Sequence, residues 1–134
     1  MFRIATLVAV LSFSASVVAG PIDFKDGVMT DKSGRTLYIF DKDQPGKSNC
    51  SGGCLAAWPA FSAKPAAVND GVLTVISRED GGKQWAYKNM PLYYYAGDAA
   101  SGDRNGDASG GVWHIVTQTE KASAPASSKG SYGY

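Results

Sequence analysis

Short apolar runs alternate with segments rich in Gly, Pro, Asn and Asp between residue 20 and about residue 117. The apolar runs are rich in Val, Ile, Tyr, Phe and Trp, which favour strands, while the intervening residues favour turns. The pattern predicts six strands, at 28–30, 36–40, 72–77, 84–87, 92–96 and 112–117, with turns at 31–34, 79–82 and 88–91. One short helical turn is predicted near 55–58, where Pro59 ends it. We therefore expect a small all-β domain of about six short strands with at most one helical turn.

One aromatic motif occurs twice, with an offset of 55 residues. Both copies read Leu-Tyr-x-aromatic-x-x-Asp, and each follows a predicted strand and turn. The motif residues are Tyr38, Phe40 and Asp43 in the first copy, and Tyr93, Tyr95 and Asp98 in the second. Similarity at a fixed spacing indicates a duplication. The sequence thus predicts one β domain over 20–117, built from two hairpin-like units at about 27–60 and 82–117.

The motif aromatic residues are candidates for the core. Residues two apart on a strand point to the same face, so Tyr38 shares a face with Phe40, and Tyr93 shares one with Tyr95. We expect these rings to fill the space between the two units, because a small domain needs large apolar side chains. The alternative is a stacking platform for a sugar or another planar ligand. Tyr94 points to the opposite face and is a candidate exposed aromatic.

The motif aspartates are predicted to be structural. Asp43 and Asp98 each follow the second aromatic by three residues, just past the predicted strand end. A carboxylate there can accept hydrogen bonds from backbone N–H groups freed where the ladder ends. A turn-forming residue is expected in both copies of a duplicated unit, whereas a catalytic carboxylate has no reason to recur.

The two ends of the chain differ from the rest. Residues 1–19 have a basic start, an apolar stretch and small residues before Gly20, which predicts a secretory signal cleaved after Ala19. A retained membrane anchor is the alternative, but the apolar run is short for a spanning helix. Residues 118–134 are dominated by Ala, Ser, Gly, Lys and Thr, which predicts a disordered tail. A short interaction motif at 132–134 is the alternative.

Charge excludes one class of partner. The chain has 13 Lys and Arg against 12 Asp and Glu, and removal of the signal with its Arg3 would leave equal numbers. These charges are scattered and form no basic stripe. Because binding to a nucleic-acid backbone needs clustered positive charge, DNA and RNA are not expected partners.

The cysteine pair has two interpretations. Cys50 and Cys54 are separated by Ser-Gly-Gly, which differs from the two-residue spacing of thioredoxin-like sites. Export would place them in an oxidising compartment, where a structural disulfide is expected. A redox-active or metal-binding dithiol, with His114, Met29 or Met90 as further ligands, is the alternative.

The remaining candidate chemistry is a histidine and a polar loop. His114 is the single histidine and is flanked by apolar residues, which favours a partly buried structural role. In the 97–111 loop, Asp103, Asn105 and Asp107 alternate like the start of a calcium loop. Ala108 and His114 then stand where an EF-hand loop has Gly and Glu, so no cofactor is predicted and calcium is only an alternative.

These features together resemble a known family, the bacterial secreted-repeat proteins often labelled predicted lipoproteins. The resemblance rests on both copies of the Tyr-x-(Phe/Trp/Tyr)-x-x-Asp motif and covers about 27–116. It extends to the Cys50–Cys54 stretch leading to Trp58 and to the Gly-rich loop before Trp113. The family implies an envelope or secreted protein and has no established function. This chain lacks the lipid-anchor Cys of many members, which suggests a soluble periplasmic or released form.

The sequence therefore predicts an exported, non-enzymatic protein of the envelope or periplasm that binds an unknown ligand or partner protein. We expect no membrane span in the chain after signal cleavage. A periplasmic metal-handling or thiol redox protein using the Cys pair and His114 is one alternative. A small hydrolase is another, although no Gly-x-Ser-x-Gly elbow is present.

The predicted tail generates a first test. A chain ending near Thr119 should melt within about two degrees of the chain that retains the tail, because residues 120–134 contain almost nothing to bury. Thermal unfolding followed by near-ultraviolet circular dichroism would measure this. A fall of many degrees would show that the tail docks on the domain.

Overall fold

The computed structural model describes residues 8–9 and 20–118 of the chain. The described part contains strands β1 (Ile22–Lys25), β2 (Val28–Asp31), β3 (Tyr38–Phe40), β4 (Leu73–Ser77), β5 (Lys83–Tyr87), β6 (Met90–Pro91) and β7 (Trp113–Ile115), together with helix α1 (Gly53–Ala57) and a 3-10 turn (Ser109–Gly111). The all-β prediction is confirmed. The predicted signal segment, apart from residues 8–9, and the predicted tail after residue 118 lie outside the described residues.

The strands form three small antiparallel sheets. β1 pairs with β2, and β4, β5 and β6 form a second sheet, whereas β3 pairs with β7. The third sheet therefore joins the first copy of the motif to the end of the second repeat. Within the part of the chain that the structure describes, no helix has the length and apolar character that crossing a bilayer requires.

Two hairpins share one turn geometry. The turns Asp26-Gly27 and Lys88-Asn89 both have positive φ at their two central residues, at 51° and 80° and at 50° and 67°. This is the two-residue turn whose twist matches that of the flanking strands. Strand β1 is missing from the sequence prediction, although Asp-Gly between two apolar runs is the signal that would have revealed it.

The strand predicted at 92–96 is wrong as a continuous strand. Its successive backbone amides donate to different segments: Leu92 to Trp85, Tyr93 to Tyr38, Tyr94 to Pro59 and Ala96 to Ala57. A ladder needs consecutive pairing with one partner strand. These four amides are therefore hydrogen-bonded to four different segments, and the backbone is irregular because it lies where several segments of both repeats meet.

The two repeats are related by an approximate two-fold axis. Tyr38 N donates to Tyr93 O at 2.8 Å, and Tyr93 N donates to Tyr38 O at 2.9 Å, so the equivalent tyrosines pair with each other. Contacts farther out repeat as well: Asp41 N donates to Val112 O as Ala96 N donates to Ala57 O. Each repeat thus supplies half of a shared interior.

Two hydrophobic clusters form the core. The first is mostly aliphatic and consists of Ile22, Met29, Leu37, Ile39, Phe61, Leu73, Leu92 and Val116. The second is mostly aromatic and consists of Tyr38, Phe40, Cys50, Trp58, Tyr93 and Trp113. Since Met29 is fully buried among aliphatic side chains, it packs as a core residue.

Candidate functional site

Four aromatic rings stack in one column at the centre of the molecule. The ring centroids are 4.1 Å apart for Phe40 and Trp113, 3.8 Å for Trp113 and Trp58, and 4.5 Å for Trp58 and Tyr95. The column takes rings alternately from the first and second repeats. Because both faces of each tryptophan are covered by a neighbouring ring, neither tryptophan offers a free face to a planar ligand.

The motif tyrosines and aspartates bind each other across the repeats. Tyr38 Oη donates to Asp98 Oδ2 at 2.7 Å, and Tyr93 Oη donates to Asp43 Oδ2 at 2.7 Å. All four side chains are buried, at 0% exposure for the tyrosines and 8% for the aspartates. Each motif copy is therefore completed by the other copy. We call these two hydrogen bonds the reciprocal latches.

The second carboxylate oxygen of each latch stays within its own repeat. Asp43 Oδ1 accepts from Asn49 N at 2.6 Å, and Asp98 Oδ1 accepts from Asn105 N at 2.9 Å. These are backbone partners of the kind expected from the sequence. The tyrosine partners were not foreseen, because they come from 50 and 60 residues away and no local pattern reports them.

Burial has electrostatic consequences at the latches. Burial raises the pKa of Asp43, and hydrogen bonds from Asn49 N and Tyr93 Oη offset part of that rise. Burial also raises the pKa of Tyr38 and of Tyr93 well above the usual range, and the neighbouring carboxylates add to the effect. The phenols therefore keep their protons and act as donors at neutral pH.

Arg78 supports the Asp43 latch and was missed by sequence reasoning. Its side chain is 6% exposed, and its guanidinium donates to Ser48 Oγ, Gln84 Oε1 and Cys50 O at 2.7–2.9 Å. Ser48 Oγ in turn lies 2.6 Å from Tyr93 Oη. An arginine before a turn gives no sequence signal for this role, because two of its partners, Ser48 and Cys50, lie about 30 residues away in a different loop.

The cysteines form a disulfide, and the second repeat has no counterpart to it. Cys50 and Cys54 are bonded, with Cys50 fully buried and Cys54 partly buried. Cys50 follows Asn49, and the residue after the equivalent Asn105 is Gly106. A Cβ at Gly106 would lie 2.7 Å from Trp58 Cη2, so only glycine fits beside the ring column. The disulfide thus belongs to one repeat rather than to the shared architecture.

His114 lies on β7 at the sheet that joins the repeats. Its Nε2 is 2.8 Å from Asp41 Oδ2, and its side chain is 21% exposed. His114 and Asp41 therefore form a histidine–carboxylate pair of the kind that a hydrolase would use. The pair by itself defines no nucleophile, so it does not distinguish a catalytic role from a structural one.

The three candidate calcium ligands of the 97–111 loop, Asp103, Asn105 and Asp107, are hydrogen-bonded to backbone groups. Asp103 Oδ2 accepts from the amides of Ala99 and Ala100, which lowers the pKa of that carboxyl. Asp107 Oδ1 accepts from Ile115 N, and Asn105 Nδ2 donates to Gly97 O. Among the described residues, no three His, Cys, Asp or Glu side chains are grouped so as to hold a metal ion. The geometry offers no support for a calcium site.

Tyr94 is partly buried rather than exposed. Its hydroxyl donates to Asp31 Oδ2 at 2.7 Å, and its ring packs edge-on against Phe61 at 5.5 Å. The guanidinium of Arg35 covers the ring, with Cζ 4.3 Å from the centroid. The residue faces away from the ring column, as the strand period indicates, but side chains of the first repeat cover it.

An open cleft of about 410 Å3 lies at the seam between the repeats. It is lined by Ser33 and Arg35 from the first repeat and by Asp98, Ala99, Ala100 and Ser101 from the second. The two rims are held together where Gly102 N donates to Gly34 O at 3.0 Å. This cleft is the candidate binding site.

The cleft is on one of two equivalent seams, and the seams carry their cationic side chains at different positions. The opposite seam is closed by Gly46 N donating to Asn89 O, the counterpart of the bond between Gly102 and Gly34. At the motif offset, the counterpart of Arg35 is Met90, which packs against the aliphatic cluster, and the counterpart of Ser33 is Lys88, whose Nζ lies over the Tyr87 ring. The architecture therefore does not require an arginine there.

Comparison with protein families agrees with this two-repeat organisation. A family model described as a secreted repeat of unknown function matches residues 20–62 and 74–117. The two matches include both motif copies and most of the described chain. The chain is a secreted-repeat protein and belongs to this family. No curated protein and no solved structure matches it.

The reciprocal latches generate a double-mutant test. Asp98→Ala should lower the free energy of unfolding by about 1–3 kcal/mol, because it leaves the Tyr38 hydroxyl without its acceptor. Asp98→Asn should lower the free energy of unfolding by less than Asp98→Ala does.

Double variants test which residues are coupled. Asp98→Ala combined with Tyr38→Phe should lower the free energy of unfolding by less than the sum of the two single effects. The same-repeat pair, Tyr38→Phe with Asp43→Ala, should be nearly additive. Urea unfolding would measure all of these variants. Coupling of Tyr38 to Asp43 instead of Asp98 would contradict the crossed arrangement.

The buried phenols predict sensitivity to alkali. Since burial raises the pKa of Tyr38, Tyr93 and Tyr94, the folded chain holds protons that the unfolded chain releases near pH 10. Stability should therefore be retained below about pH 10 and fall as the pH rises above it. Urea unfolding between pH 8 and pH 11 should show a shallower decline for Tyr93→Phe than for the wild type. Equal slopes would refute the assignment to this tyrosine.

Proposed function

We propose that this protein is a non-enzymatic binding module of the bacterial periplasm or extracellular space, and that the cleft at the seam holds a small polar ligand. The single observation that carries the proposal is the asymmetry between the two seams. Both repeats keep the latches and the ring column, but the cleft seam has Arg35 where the other has Met90.

The lining of the cleft suits a polar ligand. Four of its six lining residues, Ser33, Arg35, Asp98 and Ser101, have polar side chains. The exposed apolar side chains of Val68 and Val72 lie elsewhere, in the connection between the repeats. Binding sites commonly lie where two structural units meet, because both units contribute side chains to one concave surface. The cleft has this arrangement.

The scaffold around the cleft is rigid, which reduces the entropic cost of binding. Asp98 closes a latch from the cleft wall, and Asp103 holds the loop that carries Ala99 and Ala100. On the opposite rim, Asp31 Oδ1 accepts from the amides of Ser33 and Arg35. The two rims are thus preformed by backbone hydrogen bonds.

A ligand screen by NMR tests the proposal. Small polar compounds, namely amino acids, sugars and dicarboxylates, would be added to the 15N-labelled exported chain. Chemical-shift changes should concentrate at 33–35 and 98–102, and not at 44–46 and 89–90 of the opposite seam. Ala99→Trp should abolish them by filling the cleft, whereas Gln44→Trp, at the equivalent position of the other seam, should not. Absence of any binder, or equal shifts at both seams, would refute the proposal.

A further inference from the structure

The acceptors around the cleft are already occupied. Both carboxylate oxygens of Asp98 accept hydrogen bonds, from Tyr38 Oη and Asn105 N. Asp31 and Asp103, which flank the cleft, bind the backbone amides of its two rims. The carboxylate oxygens near the cleft therefore stabilise its loops, and within the described residues the side chains of Arg35 and Lys25 donate to other groups.

The cationic side chains around the cleft use few of their N–H donors within the described residues. Arg35 donates through Nη2 to Tyr95 O at 3.3 Å, which uses one of its five N–H groups. Lys25 Nζ donates to Ser101 Oγ at 2.9 Å on the cleft rim, and Arg104 Nη2 donates to Lys25 O at 3.4 Å. Within the described ranges, the ion pairs are Lys47–Glu79, Arg78–Asp80 and His114–Asp41, so none of these three cations is paired with a carboxylate.

Arg35 is also held in place. Its guanidinium lies over the Tyr94 ring, and Tyr94 is fixed by its hydrogen bond to Asp31. A guanidinium held by stacking presents a planar fork of donors with little loss of side-chain entropy on binding. Such a fork matches the two oxygens of a carboxylate or a phosphate.

We propose that the cleft binds a small oxyanion, a carboxylate or a phosphate, with Arg35 donating to two of its oxygens and Lys25 supplying a second positive charge. This inference rests on the proposed function and names the class of ligand. Occupied acceptors and unused N–H donors favour a ligand that brings acceptors, and because the donors belong to Arg35 and Lys25 they favour one with negative charge. A neutral polar compound of the same size would lack the charge attraction to these two side chains.

The test is an NMR titration of the exported chain at low ionic strength with each of three probes. The probes are succinate, inorganic phosphate and succinamide, the neutral analogue of succinate. Succinate or phosphate should shift the amides of 33–35 and 98–102 saturably, and succinamide should bind at least about tenfold more weakly. Affinity should fall as sodium chloride is raised, because salt screens exposed charges. Whichever anion binds more tightly identifies carboxylate or phosphate as the ligand group.

Matched variants tie the binding to the named residues. Arg35→Met, which introduces the residue of the opposite seam, should weaken anion binding about tenfold or more, and Arg35→Lys should weaken it less. Lys25→Ala, at an exposed position, provides a second variant with little risk to folding. Lys47→Met, which removes a cation paired with Glu79, should leave the affinity unchanged.

The outcomes separate this inference from the function it rests on. If succinamide bound in the cleft as well as succinate did, or if Arg35→Met and Lys25→Ala left the affinity unchanged, the oxyanion inference would be overturned and a binding cleft would stand. If none of the probes and no compound of the polar screen bound there, both would be overturned.

Discussion

The fold depends on how two buried carboxylates find hydrogen-bond donors. Asp43 and Asp98 each have one oxygen that a backbone amide of the same repeat can reach, and the other oxygen needs a tyrosine of the other repeat. A buried carboxylate without a second donor would cost several kcal/mol. Neither repeat can therefore close its own motif. Tyr38 and Tyr93 meet that need and bring the two motif segments together on the approximate two-fold axis.

The ring column follows from the same arrangement. Where the two motif segments meet, Trp58 and Trp113 lie face to face, and each receives a ring of the opposite repeat on its outer face. Stacked rings bury large areas with few rotatable bonds, which suits a domain of this size. The four rings of the column are thereby packed against one another inside the molecule. The side chains that we propose for ligand binding lie outside the ring column.

Internal symmetry separates architecture from function in this protein. Residues present in both repeats at the same offset form the latches and the column, as Tyr38 and Tyr93 do. Residues that differ between the repeats are free of that requirement. Arg35 opposite Met90 is one such difference, and it places a cation stacked on Tyr94 at the cleft. The disulfide of Cys50 is a second such difference and braces only one loop.

The sequence by itself determined the strand-rich class and the duplication, favoured the Cys50–Cys54 disulfide over a reactive dithiol, and predicted that the motif aspartates accept hydrogen bonds from nearby backbone amides. These depend on local patterns: alternation, turn residues, short loops and repeated spacing. It did not determine that the 92–96 segment divides its hydrogen bonds among several partners, nor that Tyr38 binds Asp98. Nor did it single out Arg35. Only the tertiary structure decided these, because each depends on which distant segment supplies a donor, an acceptor or a ring face, and no local pattern records that choice.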